Sequence, residues 1–230
     1  MRFRAVIFDL FGTLVDIPRE DHLRSLRQMA GVLGAPFEDF KRIWTKDIYR
    51  DRQLGILPDT EAAIRYICGR LGVEPDQSSI DAAVQIRLDY TRRCLVPRAD
   101  AVPTLRRLKD QGLRLGLISD CSPEVPVIWG EMPLASLVDI PVFSPTVHLK
   151  KPDPRIYTLA CDGLGVAPSD CLYVGDGDSR ELTGAAGMGM TPVRIRVPHE
   201  LVHPARSDED TWRERTISSL SEVLPIVFGE

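Results

Sequence analysis

The sequence predicts an α/β fold: a Rossmann-like parallel sheet core with an inserted α-helical cap domain. Short apolar runs alternate with helical patterns along most of the chain, as expected where right-handed crossovers connect parallel strands. From about residue 19 to residue 94 there is only helical periodicity. The 230 residues are enough for one large domain and a smaller insertion.

Four apolar runs are interpreted as strands of the sheet. Each is rich in Val, Ile, Leu or aromatic residues, and the first three stop at polar or acidic residues. They are FRAVIFD (3–9), LRLGLISD (113–120), CLYVGD (171–176) and TPVRIRV (191–197). The last run alternates apolar and polar residues, which predicts a strand nearer the edge of the sheet.

Helical patterns lie between these strands and after them. Pro103 falls in the first turn of its helix, where a missing backbone N–H is tolerated. The predicted core helices cover residues 99–112, 153–165 and 179–187, and the tail ISSLSEVLPIVFGE predicts a closing helix.

Four further helical patterns lie between the first and second strands, punctuated by Gly and Pro. They cover residues 20–34, 37–51, 59–72 and 79–94. We expect a small bundle over the sheet, which divides the chain into a core of residues 1–15 and 96–230 and a cap of residues 16–95. Pro18 and Pro97 flank the insertion as expected hinge ends.

Composition argues against several classes of protein. The net charge of −4 and the scattered basic residues do not favour binding to nucleic acid or to an anionic membrane surface. No apolar run approaches the roughly 20 residues of a membrane span, and the N-terminus lacks signal-peptide features. The five cysteines include no CxxC pair, so we expect reduced thiols and a cytoplasmic location. The sequence gives no indication of oligomeric state.

Polar residues collect where the predicted strands end. Asp9, the pair Ser119 and Asp120, and Asp176 follow three different strands, and the carboxyl ends of parallel strands meet at one edge. Several carboxylates placed close together have raised pKa values or repel one another unless a cation is present, and oxygen ligands without sulfur favour Mg²⁺ over Zn²⁺. Asp178 and Glu181 could join this cluster, or could simply charge the first turn of a helix.

The order and spacing of these segments resemble the haloacid dehalogenase superfamily of hydrolases, in the subfamily with a helical cap inserted after the first motif. Four motifs carry the resemblance over the whole core, whereas the cap matches only in position and helical character. They are FDLFGTLVD (8–16), LISD (117–120), KKPDPRIY (150–157) and VGDGDSRELTGAAGMGM (174–190).

The resemblance implies a Mg²⁺-dependent phosphatase that acts on a small phosphorylated metabolite through an aspartyl-phosphate. It implies that Asp9 is the nucleophile and that Ser119 and Lys151 hold the oxygens of the transferred group. A carboxylate nucleophile divides a difficult displacement into two steps, and a metal ion with a lysine neutralises phosphoryl charge. The implied metal ligands are Asp9, the Phe11 carbonyl, Asp176 and Glu181, and the implied substrate contacts are Leu10, Phe11, Ser119, Asp120 and Lys151.

Phe11 departs from the phosphatase pattern, which has an acid/base Asp two residues after the nucleophile. Loss of such a group costs about 10²- to 10⁴-fold in rate. A phosphatase could tolerate the loss if its substrate had a good leaving group or if another residue supplied the proton. The candidate donors are Asp120, Asp178, Glu20, Asp21 and Lys46.

Two other interpretations stay open. The 2-haloacid dehalogenases also carry an aromatic residue there, because halide leaves without a proton, but they need no metal and lack the acidic fourth motif. Alternatively, the chain binds a phosphorylated ligand or a regulatory partner without turnover. Phosphonate cleavage with a cap lysine, Lys41 or Lys46, is a minor further option.

Overall fold

The sheet of this chain is parallel throughout and has the strand order β3-β2-β1-β4-β5-β6. The computed structural model describes residues 3–16, 20–197 and 212–229, without the side chains of Glu20 and Asp21. Within these ranges the strands are β1 (Ala5–Phe8), β2 (Arg114–Ser119), β3 (Ile140–Phe143), β4 (Cys171–Gly175), β5 (Thr191–Ile195) and β6 (Thr216–Ile217).

Strand β1 lies at the centre of the sheet and is buried on both faces. Ala5 pairs with Arg114 of β2 on one side and with Cys171 of β4 on the other. Because side chains alternate along a strand, Val6 and Phe8 belong to one hydrophobic cluster, and Ala5 and Ile7 belong to the other. The core therefore has two layers, one on each face of the sheet.

Helices cover both faces and fill the region between β1 and β2. That region contains α1 (Glu20–Leu33), α2 (Phe37–Arg42), α3 (Tyr49–Gln53), α4 (Thr60–Leu71) and α5 (Gln77–Cys94). The later helices are α6 (Ala101–Asp110), α7 (Glu124–Ile128), α8 (Ser144–Val147), α9 (Pro154–Leu164), α10 (Glu181–Gly187) and α11 (Val223–Phe228). None of the described helices is both long and apolar enough to cross a membrane.

All four predicted strands are present, but β3 and β6 are not predicted by the sequence pattern. Strand β3 contains Pro141, which argues against a strand in the interior of a sheet. It is tolerated because β3 is an edge strand that pairs only with β2 in the described sheet. Strand β6 has two residues, too few for a recognisable periodicity.

The predicted helix over residues 37–51 is wrong as a single element. A π-helical turn, Ile43–Asp47, separates α2 from α3. Such wide turns shift the angular phase of the side chains that follow. Arg52 and Gln53 of α3, which follow this turn, are buried.

The inserted helices have a hydrophobic cluster of their own, built around residues such as Leu26, Trp44 and Ile64. The chain leaves and re-enters the sheet region at adjacent points, since Val15 and Pro97 form an isolated antiparallel bridge and Arg98 N donates to Leu14 O at 2.9 Å. The expected hinge end at Pro18 lies outside the described residues.

Candidate active site

The turn after β1 fixes the position of Asp9. The Asp9 N–H donates to the Val174 carbonyl at 2.9 Å, which continues the register of β1 on β4. Gly12 has φ +79°, a left-handed conformation that suits glycine, and its N–H donates to Val15 O at 2.8 Å. Arg98 then donates from Nε to Thr13 O at 2.8 Å, so the re-entering chain braces the turn.

Lys151 connects two carboxylates inside the protein. Its Nζ lies 2.6 Å from Asp9 Oδ1 and 2.6 Å from Glu181 Oε2, and all three side chains are buried. The main-chain N–H of Lys151 donates to Asp120 Oδ1 at 3.0 Å. Asp120 therefore holds the segment that carries the lysine, in addition to lining the cavity described below.

Glu181, at the start of α10, has both carboxylate oxygens engaged. Besides Lys151, the Tyr173 hydroxyl donates to Oε2 at 2.8 Å and the Gly177 N–H donates to Oε1 at 3.0 Å. A Cβ at Gly175 would lie 2.2 Å from Glu181 Oε1, so only glycine fits beneath this carboxylate. These contacts give Glu181 a fixed orientation.

Asp176 completes a buried acidic triad with Asp9 and Glu181. One carboxylate oxygen from each of the three lies within 4.8 Å of the others. Asp176 is 3% exposed, and its Oδ1 accepts the Asp178 N–H at 2.9 Å. Asp178 itself is only partly buried. The predicted convergence of Asp9, Lys151, Asp176 and Glu181 is thus present as geometry.

The charges of this cluster do not balance. Three carboxylates face one ammonium group, and burial raises the pKa of Asp9 to about 6, an effect that Lys151 opposes and Asp176 increases. Burial and the neighbouring Asp9 likewise raise the pKa of Glu181. Burial disfavours the ammonium form of Lys151, but Asp9 and Glu181 outweigh burial and raise the pKa of the lysine well above its ordinary value. Lys151 is therefore protonated at neutral pH.

Ser119 ends β2 beside this cluster and is completely buried. Its hydroxyl is close enough to Cys121 to oppose the rise in the thiol pKa that burial causes. Within the described part of the chain, however, Ser119 Oγ has no hydrogen-bond partner that meets distance and angle criteria. A buried hydroxyl of this kind is suited to bind an oxygen of a ligand.

A cavity of about 390 Å³ lies between the strand ends and the inserted helices. Phe11, Asp120 and Asp178 line it from the sheet side, each within two residues of Asp9, Ser119 or Asp176. Of the expected proton donors, Asp120 and Asp178 lie in the lining, whereas the exposed Lys46 does not. The side chains of Glu20 and Asp21 lie outside the described residues.

The inserted helices contribute two buried arginines that are not among the residues predicted from the sequence. Arg52 of α3 and Arg87 of α5 line the cavity, and Arg52 Nη2 donates to Glu124 Oε1 at 2.7 Å. A signal for Arg87 exists in the sequence, because it follows Ile80 and Ala83 at helical spacing and so falls on the buried face of α5. A charged residue on such a face marks an internal ion pair or a binding site.

The fold, the four motifs and this cluster agree with a match to a protein family. The model of the haloacid dehalogenase-like hydrolases matches residues 3–189. The chain belongs to this family. As a haloacid dehalogenase-like hydrolase it is an enzyme that uses water to cleave a substrate.

Relatives of this haloacid dehalogenase-like hydrolase have two different activities. The chain is 31% identical, over 90% of both sequences, to glyceraldehyde 3-phosphate phosphatase from Methanopyrus kandleri (strain AV19). It is also 31% identical to (S)-2-haloacid dehalogenase from Pseudomonas fluorescens, over 74% of this chain and 75% of that one. The crystal structure of 2-haloacid dehalogenase from Pseudomonas syringae pv. tomato DC3000 has the same fold, with a TM-score of 0.73 at 24% identity and 98% coverage of both chains.

Proposed function

We propose that this hydrolase is a Mg²⁺-dependent phosphatase of small phosphorylated metabolites. The observation that carries the proposal is the buried triad of Asp9, Asp176 and Glu181, which faces a single ammonium group from Lys151. Buried carboxylates in excess of cations repel one another, which contributes to the raised pKa values of Asp9 and Glu181, and a bound metal ion would relieve this repulsion. A dehalogenase, which releases halide without a metal, has no need of this excess.

The donor set fits Mg²⁺ because it consists of carboxylate oxygens without sulfur or imidazole. We assign Asp9, Asp176 and the Phe11 carbonyl as the groups that would hold the ion. Glu181 adds its charge to the cluster, but its oxygens already accept from Lys151, Tyr173 and Gly177, so we assign it to positioning Lys151. Bound Mg²⁺ would neutralise the charge of the phosphoryl group.

Asp9 is proposed as the nucleophile. One oxygen of Asp9 forms a bond to phosphorus while the bond from phosphorus to the leaving oxygen breaks, which gives an aspartyl-phosphate. Water then attacks phosphorus and releases phosphate, which restores the Asp9 carboxylate. Lys151 and Ser119 are proposed to bind the oxygens of the transferred group, since both are buried, Ser119 at the end of β2 and Lys151 with its Nζ 2.6 Å from Asp9 Oδ1.

Phe11 restricts the substrates that this site can use. It lines the cavity with a side chain that cannot donate a proton to the departing oxygen. Acetyl phosphate and aryl phosphates, whose leaving groups are stable anions, should therefore react faster than alkyl phosphates.

We also propose that residues 16–95 act as the cap over the substrate, because their helices line the cavity from the side opposite the sheet.

A 2-haloacid dehalogenase is the second candidate, and the aromatic side chain at position 11 favours it. In that reaction Asp9 would displace halide from carbon, so no proton donor is needed. The relatives with this activity support it as well.

The two candidates differ in product and in metal dependence. Purified protein is incubated with acetyl phosphate, p-nitrophenyl phosphate or 2-chloropropionate, in Mg²⁺ or in EDTA, and phosphate and chloride are measured. We expect phosphate release that requires Mg²⁺ and is abolished in Asp9→Asn but retained in Asp16→Asn, a change at an exposed carboxylate of the same turn. Chloride release in EDTA would establish the dehalogenase, and phosphate binding without turnover would contradict both enzymes.

A further inference from the structure

Two buried guanidinium groups in the cavity wall share a single carboxylate among the described side chains. Arg52 and Arg87 are 3% and 7% exposed. Glu124 is their shared carboxylate: Arg52 Nη2 lies 2.7 and 2.9 Å from its two oxygens, and Arg87 Nε lies 3.6 Å from Oε1. Among the described side chains, two positive charges thus share one negative charge, which leaves one positive charge without a carboxylate of its own on this side of the cavity.

Hydrogen-bond donors are also in excess at this wall. Within the described ranges, Arg52 Nε, Arg87 Nε, Arg87 Nη1 and Trp44 Nε1 are buried without an acceptor. Each of the four is an N–H donor. The Trp44 ring packs against both guanidinium groups, with Arg52 Cζ 4.0 Å and Arg87 Cζ 5.4 Å from a ring centroid, which holds them in place. A buried N–H without an acceptor is costly, so this wall is suited to a ligand that brings oxygen acceptors.

Among the side chains that the structure describes, no other charged or titratable group in the cavity lining supplies a second anion to Arg52 and Arg87. His22 lines the same wall, and burial together with Arg87 lowers its pKa to about 4, so it is neutral at pH 7. The lining carboxylates, Asp120 and Asp178, come from the loops after β2 and β4. Lys150 lies near Asp120, at 3.8 Å from Oδ2. The cavity is therefore cationic toward the inserted helices and acidic toward the sheet.

We propose that Arg52 and Arg87 form a subsite for a carboxylate on the substrate, whose phosphoryl group lies at Asp9. A carboxylate brings one negative charge, which matches the single uncompensated positive charge, and its two oxygens suit the forked donors of guanidinium. A second phosphate would bring up to two charges to the same place. The substrate class is thus a small phosphorylated carboxylic acid, and the cavity of about 390 Å³ is near the lower end of the size of small-molecule sites. This assignment rests on the function proposed above.

Binding is tested without turnover, so that the subsite and the reaction are judged separately. The probes are phosphonoacetate, which has both anionic groups, and methylphosphonate, which lacks the carboxylate, each titrated calorimetrically in Mg²⁺. We expect Arg87→Met to weaken phosphonoacetate about 10- to 100-fold, the loss of one charge-assisted contact, and to leave methylphosphonate unchanged. Arg92→Met is the matched control, because Arg92 lies on the same helix and pairs with Glu131 at the surface.

Arg87→Lys keeps a positive charge near Glu124 and provides a folded variant if Arg87→Met does not fold. Its affinity for phosphonoacetate should be several-fold lower than that of the wild type, since an ammonium group lacks the forked donors of guanidinium. If Arg87→Lys or Arg87→Met bound phosphonoacetate as tightly as the wild type does, the subsite would be overturned. It would also be overturned if a variant lost affinity for phosphonoacetate and methylphosphonate by the same factor. Turnover is read in parallel with acetyl phosphate and p-nitrophenyl phosphate, whose leaving groups need no proton donor at position 11. If neither is hydrolysed while Arg87 still selects phosphonoacetate, the subsite stands and the proposed phosphatase fails.

Discussion

Replacement of Glu124 by Gln should destabilise this protein strongly, although the two side chains have nearly the same shape. Glu124 is 1% exposed at the start of α7, and it accepts from Arg52 and from Thr60 Oγ1, the latter at 2.7 Å. Burial alone would raise its pKa, but Arg52 and Arg87 hold the pKa well below the ordinary value, so the group is ionised. One carboxylate thereby ties α7 to the inserted helices α3, α4 and α5.

The size of the effect follows from what Glu124→Gln would leave behind. Removing one partner of a buried ion pair costs about 3–5 kcal/mol, because the other charge stays buried without compensation. Here two guanidinium groups lose their shared anion, while the remaining amide oxygen can still accept one of the hydrogen bonds. We therefore expect a loss of about 3–5 kcal/mol in the free energy of unfolding. For a chain of about 150–250 residues this corresponds to a Tm lower by about 6–20 °C.

The assay is urea unfolding followed by circular dichroism, together with a thermal scan. Glu131→Gln is the control, since Glu131 also receives two hydrogen bonds from an arginine, Arg92 Nε at 2.8 Å and Nη2 at 3.0 Å, but does so at the surface. The control should change stability little, because water screens and replaces such a pair. If Glu124→Gln lost less than about 1 kcal/mol, or no more than the control, the burial argument for Arg52 and Arg87 would be refuted.

Three further changes test the site and its surroundings. Phe11→Asp should raise kcat on alkyl phosphates about 10²- to 10⁴-fold and change acetyl phosphate much less, as measured by phosphate release; equal gains on both would contradict the role of the missing acid. Glu181→Gln should lower kcat at least about 10-fold, because Lys151 loses one of its two anions, and unchanged kinetics would remove Glu181 from the positioning of Lys151. His22→Gln should flatten the pH dependence of stability between pH 6.5 and 4. The pKa of His22 in the folded state, about 4, lies below its unfolded value, so the free energy of unfolding of the wild type falls by up to about 3 kcal/mol as the pH falls through this window. Parallel unfolding curves for the wild type and His22→Gln across that range would show that His22 does not titrate as inferred.

Much of the fold follows from local pattern. The continuous apolar runs that form β1, β2 and β4 are buried on both faces, and this is why they are recognisable without alternation. Strand β3 is not predicted because it contains Pro141. This residue is tolerated only because β3 lies at the edge of the sheet, and the position of a strand in the sheet depends on the tertiary structure. The break between α2 and α3 is not predicted for a similar reason. The residues of the π-helical turn, Trp44 among them, continue the helical pattern of the sequence, so the pattern does not mark a break there.

Some residues of the site are likewise predictable from the sequence, and others are not. Asp9, Ser119 and Asp176 could be predicted to converge because the topology of a parallel sheet brings strand ends together, whatever the details of packing. The role of Glu181 could not be derived from spacing alone. Whether its carboxylate faces a metal or a lysine depends on the hydrogen bonds of Tyr173 and Gly177, which exist only in the folded protein.

If Arg52 and Arg87 form the proposed subsite, the ion pair at Glu124 would link substrate choice to the proposed reacting groups. Glu124 lies five residues after Ser119 and begins the helix that follows the second motif. Its partners, Arg52 and Arg87, belong to the insertion, whose residues are expected to determine which substrate enters. The end of β2 with Ser119, and the following loop with Asp120, are therefore connected to the arginines through the buried contacts of Glu124. A ligand that engaged both arginines would share their positive charge with Glu124. Under the proposed function, recognition of the distant end of a substrate and placement of its phosphoryl group would then depend on the same buried carboxylate.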